Sequence, residues 1–215
     1  MRSWWGSKRR GRIATAAALA DYLDRHAALI AQKSIIGYCH SKTRLPMNEL
    51  MRETRFVDAY ARARWEAYAA ILADLAAVID ARLRPAAGTR AAELPEALAA
   101  LCAPLLAAHP SPAERPADWT AAEAAVDALR SRLRTLQAAP PRPIAEIALA
   151  SGRRVFETLP IHATLRVYDE EPVVANVQFM MVGLAGGLDA GLDAAGVVAD
   201  LLAPPSLGVR TGEAQ

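Results

Sequence analysis

Apolar side chains recur at spacings of three and four along almost the whole chain, which is the period of an α-helix and not the alternation of a strand. The first helix is expected over residues 13–39. Leu19, Leu23, Ile30 and Gly37 define its apolar stripe, with Asp21, Asp24, Arg25 and Gln32 off it. Ser41-Lys42-Thr43 reads as a loop, and Pro46 suits the first turn of a second helix, where its missing N–H costs nothing. That second helix is predicted to be long, over residues 46–83, on Leu50, Val57, Ala61, Tyr68, Ile71, Leu75, Val78 and Ile79, with Pro85 and Gly88 stopping it. A short loop between two long amphipathic helices predicts an antiparallel hairpin.

The remainder continues as shorter helices. Residues 85–90 read as a linker, and residues 94–108 as a helix that Pro104 kinks or shortens. After the Pro-rich loop that begins at His109, a helix starts near Thr120, with Thr120 and Glu123 spaced as a capping box. Residues 138–143 form a second linker. Residues 144–159 are expected to be helical with a weak point at Ser151-Gly152, and residues 162–167 to make a helical turn. Asp169-Glu170-Glu171-Pro172 signals a strong helix start. The uncharged run 172–188 is at the low limit for a membrane span and is expected to be a buried core helix. A last helix over residues 194–202 precedes a disordered tail from residue 204. The fold class expected is an all-α bundle of about six or seven helices. It comprises a long N-terminal hairpin (13–84) and smaller helices (94–203) in one helical domain, after an arm over residues 1–12.

Charge changes this picture at one end. Arg2, Lys8, Arg9, Arg10 and Arg12 meet no acid in the first twelve residues, while the whole chain carries only +2, so the body is net acidic. Trp4 and Trp5 lie within the same arm. Indoles favour the headgroup level of a bilayer and clustered cations favour anionic lipid, so Trp4, Trp5, Lys8, Arg9, Arg10 and Arg12 are candidate contacts for a membrane surface. The same combination can meet another polyanion, with nucleic acid the less favoured partner. Arg9-Arg10 also resembles part of a twin-arginine export signal. The apolar stretch behind it is short and runs into Asp21, so a retained helix start is expected. Cys39 and Cys102 make no disulfide framework, which suits the cytoplasm.

Two other places could hold chemistry. His26, Lys33 and His40 are seven residues apart and share a stripe with Leu19, Leu23 and Ile30, so they are expected to face the second helix. Antiparallel pairing places Glu49 opposite His40 and Glu53 opposite Lys33. A seam of His26, Lys33, His40, Glu49 and Glu53 could serve as acid and base, or it could simply hold the two helices in register. His162 and Arg166 form the second place, where Arg166 could hold an anion. No metal site is expected, because Glu-x-x-His pairs and Cys/His ligand spacings are missing, and no cofactor loop is recognisable. Nucleophile motifs are equally missing, with Ser34 and Ser151 the serines a hydrolase would have to use.

Length, helicity and a basic N-terminus are shared with TetR-type repressors, but residues 13–50 lack the turn glycine and short recognition helix. The stretch Gln32-Lys-Ser-Ile-Ile-Gly-Tyr-Cys-His-Ser-Lys-Thr-Arg-Leu-Pro46, with Leu159-Pro-Ile-His and Phe179-Met-Met-Val-Gly-Leu184, resembles a group of all-helical alphaproteobacterial proteins. Some of that group are called esterases. The resemblance spans most of the chain, implies a helical fold and supplies no catalytic residue. The function expected is a non-catalytic helical binding or interaction protein, docked on the inner membrane surface through its arm. A protein partner or a second copy is also open. The alternatives are an esterase-type hydrolase and a TetR-like regulator.

Overall fold

The computed structural model describes residues 12–108, 120–147 and 149–204. The fold is an all-α bundle. Its helices are α1 (Ala16–Thr43), α2 (Met47–Leu50), α3 (Thr54–Ala87), α4 (Leu94–Ala107), α5 (Ala122–Gln137), α6 (Ser151–Thr158), α7 (Glu170–Asp189) and α8 (Ala194–Leu201). Three 3₁₀ turns, Gly88–Glu93, Ile144–Glu146 and Ala163–Leu165, connect them. Among the described residues no helix is long and apolar enough to cross a membrane.

α3 is the axis of the bundle. From Ile71 to Ala81 every residue except Ala73 is buried, and α1, α4, α5, α6 and α8 all pack on it. A helix covered on every side must be apolar on every side, and its alanines let neighbouring axes come close. Asp74 and Asp80 break that rule and are held by partners described below. α1 lies antiparallel to α3, with Tyr68 Oη donating to Asp24 Oδ1 at 2.8 Å. Thr15 caps its start by accepting from the Ala18 N–H, and Arg44, in the left-handed region at φ 57°, ends it.

The structure corrects several expected elements. The second helix is broken: Met51–Thr54 are all exposed, no side chain of α2 is buried, and nothing apolar holds this stretch in register with α3. As a result Asp24 faces Tyr68, about one turn along from the pairing expected. α3 passes through Pro85, since a proline in the last turn removes only one bond, and it ends at Gly88 with φ 54°. Residues 85–90 are therefore helix and 3₁₀ turn instead of linker. The helix expected from residue 144 starts at Ser151, because Asp74 of α3 accepts from the N–H groups of Ala150 and Ser151 and so caps α6 from outside. The Thr120–Glu123 box does not form. The Thr120 N–H and hydroxyl both donate to Glu66, and Ala121 is the N-cap of α5.

Two expectations for the later helices also change. α7 is a surface helix and not a buried one: α6 and α1 cover a single stripe, Val173, Val177, Met181, Ala185 and Leu188. Its opposite face is open, with Phe179 78 % and Val182 49 % exposed. α1 runs unbroken for 28 residues where a helix–turn–helix would need its turn.

Candidate binding cleft

The expected seam does not assemble. Lys33, His40, Glu49 and Glu53 are all exposed, and among the described residues neither the Lys33–Glu53 nor the His40–Glu49 pair forms. The reason lies in how the buried stripe winds. Leu19, Leu23, Ala27, Ala31, Ile35 and Cys39 are buried, each four residues from the last. A four-residue step advances the stripe by about 40°, while a seven-residue step falls back by about 20°. The core stripe therefore winds away from the line His26–Lys33–His40: Lys33 points nearly opposite to Ala31 and Ile35, and His40 lies about 100° from Cys39. The two serines are no better placed. Ser34 is buried and donates to the Ile30 carbonyl, and Ser151 has no exposed surface.

His26 is the exception, because it belongs to a real cavity. α7 lies antiparallel across α1 and is tied to it at both ends. Tyr22 Oη reaches the Leu184 carbonyl at 3.4 Å, and Tyr38 Oη donates to Asp169 Oδ2 at 2.6 Å. Lys42 Nζ meets the same Asp169 oxygen at 2.6 Å. These two donors, Lys42 first, hold the Asp169 carboxyl below the usual carboxylate range, while burial and the Asp169 bond push the Tyr38 phenol up.

Near the Tyr22 end the helices leave a cleft of about 460 Å³. Its α1 wall is Ala18, Asp21, Tyr22, Arg25 and His26. Its α7 wall is Gly183, Leu184 and Gly187, and Arg12, Ile13 and Gly191 close one end. The cleft exists because the α7 wall is mostly glycine: a Cβ at Gly183 would meet nothing within 4 Å. The His26 ring stacks at a tilt on Tyr22, centroids 4.0 Å apart, with Nδ1 2.7 Å from the Tyr22 carbonyl. A carbonyl only accepts, so Nδ1 carries the proton and the neutral ring has its lone pair on Nε2.

The chain enters the described fold beside this cleft. The Ile13 N–H donates to the Gly191 carbonyl at 2.9 Å, the Asp193 N–H donates to the Ile13 carbonyl at 2.8 Å, and Arg12 pairs with Asp193 at 2.8 Å. Trp4, Trp5, Lys8, Arg9 and Arg10 lie outside the described residues.

The second expected site has a structural task. Arg166 donates to the carbonyl oxygens of Phe156 and Glu157, the latter at 3.1 Å, and lies over the Phe156 ring. A guanidinium at the C-terminus of α6 satisfies carbonyls that the helix leaves open, and this is what occupies the fork expected to hold an anion. His162 is exposed and caps the turn after it by accepting from the Thr164 N–H.

Three carboxylates escaped the sequence reading. Glu66 takes Arg154 at 2.6 Å together with Thr120, Asp74 takes Arg132 and the α6 N-terminus, and Asp80 takes Arg84 at 2.6 Å and Gln137 at 2.9 Å. Their signal was present: Asp74 and Asp80 interrupt an otherwise apolar run, where an acid survives only with partners. All three tie α3 to the segments packed around it. Compared with known proteins, this chain matches no family model, no curated protein and no solved structure.

Proposed function

We propose that this is a non-catalytic helical binding protein that docks on the cytoplasmic surface of an anionic membrane. The observation that carries the reading is the open face of α7. Ala175, Phe179, Val182 and Gly186 give it an uncharged apolar surface, and the cationic arm joins the fold at the end of this same helix, through Ile13 and Gly191. The acids around that face are largely matched: Asp169 by Lys42, Glu170 by Arg153, Asp189 by Arg82 and Asp193 by Arg12. Repulsion from anionic lipid is reduced accordingly. Stable surface anchoring takes two signals, and here a shallow apolar contact combines with an arm whose cations contribute about 1 kcal/mol each near an anionic surface.

Flotation with vesicles containing phosphatidylglycerol tests this. The full chain floats at low salt and is released at high salt, because the arm's contribution is screened. Deleting residues 2–11 abolishes flotation, and Phe179→Asp weakens it while the helical circular dichroism is unchanged. No flotation of the full chain, or flotation indifferent to both salt and the deletion, overturns the proposal.

A further inference from the structure

We infer that the cleft between α1 and α7 is a binding site for an amphipathic monocarboxylate, with its carboxylate on the guanidinium of Arg25 and its apolar body lying along Leu184 and the open glycine wall. This inference does not depend on membrane docking, and its test contains no bilayer. The cavity, at about 460 Å³, is in the size range that encloses small organic ligands, and it sits between helices of a bundle, where such sites recur.

The chemistry of the lining selects the ligand class. Ile13, Ala18, Leu184, Gly183 and Gly187 offer apolar surface without a charge. The charged lining residues are Arg12, Arg25 and Asp21, and with Arg12 matched by Asp193 one cation and one anion remain, Arg25 and Asp21. Arg12 is already engaged with Asp193, so Arg25, exposed on the rim, is the guanidinium left to meet an incoming anion. A planar guanidinium matches a carboxylate with two parallel N–H···O bonds, which a neutral alcohol of the same length cannot reproduce. Tyr22 and His26 stack on each other in the wall and present ring surface to the ligand body.

Isothermal titration calorimetry with decanoate, decanol and decyltrimethylammonium, each below its micellar concentration, reads the selectivity directly. Decanoate saturates one site per chain. Decanol and the quaternary ammonium bind about 10- to 100-fold more weakly, the factor of a charge-assisted hydrogen bond. Arg25→Gln brings decanoate down to the level of decanol. Gly183→Leu places a side chain in the open cleft and abolishes binding without lowering the melting temperature. Lack of a saturable decanoate site, equal affinity for decanoate and decanol, or unchanged binding by either variant overturns the inference. Arg25 lies on the surface, so its variant folds whatever the outcome at Gly183.

Discussion

Asp74 has no exposed surface, yet it meets the Arg132 guanidinium and two backbone N–H groups at the start of α6. Asp74→Ala strands the two backbone N–H donors and removes the Arg132 ion pair, and breaking a buried ion pair from one side costs about 3–5 kcal/mol. Denaturant unfolding should register that loss, whereas Lys33→Ala and Glu53→Ala, on exposed side chains, should stay within about 0.5 kcal/mol of the parent. This contrast separates the acids that hold the fold from those that the spacing alone suggested. The thiols follow the same logic. Burial pushes Cys39 up to about 11 and Cys102 up to about 12. A folded pKa above the unfolded value of about 8.5 means that this contribution to stability is complete below that pH. It is lost as pH rises through the folded values. Both thiols should therefore resist a disulfide reagent at pH 8 until denaturant unfolds the chain. Rapid labelling of either in the native protein contradicts the burial described here.

Glycines stand on the two sides of helix α7 for opposite reasons, Gly152 of α6 packed against it and Gly183 within it. On the covered side, α6 approaches so closely that a Cβ at Gly152 would stand 3.0 Å from the Val174 Cα and 3.2 Å from its carbonyl oxygen. These are backbone atoms that cannot rotate away. Gly152→Ala is therefore expected to cost about 1–3 kcal/mol, the usual penalty of overpacking. On the open side, Gly183→Ala meets no neighbour and removes backbone freedom from the unfolded chain, for a gain of about 0.5–1 kcal/mol. Paired melting curves read both signs. The stripe on α1 carries a related lesson. Its heptad of large residues was legible, but its true course runs through Ala27 and Ala31. Alanine occupies buried and exposed positions alike in this chain, so the spacing of large side chains could not reveal the drift.

Across the whole molecule, α7 is attached to α1 through the Tyr38–Asp169–Lys42 cluster, and this attachment is sensitive to acid. The folded pKa of Asp169 is depressed. Its contribution is present above the ordinary aspartate value of about 3.9 and is lost as pH falls through the lower folded value. Acid unfolding of Asp169→Asn should thus be less steep than that of the parent below about pH 4, with less stability at neutral pH. An unchanged acid profile would mean that the cluster contributes nothing to holding α7.

The helical class, the long antiparallel hairpin, the start of α7 and the basic arm were all written in local pattern: period, caps, prolines and charge runs act over a few residues and survive without a tertiary context. The break after α2, the start of α6, the fate of Arg166 and the open face of α7 were not. Each depends on which group elsewhere in the fold supplies or withholds a partner: Asp74 for the α6 N-terminus, the Phe156 carbonyl for Arg166, and chiefly α6 and α1 for covering α7. The cleft belongs to the same category, because His26, Arg25 and Gly183 become one site only when helices separated by more than a hundred residues pack side by side.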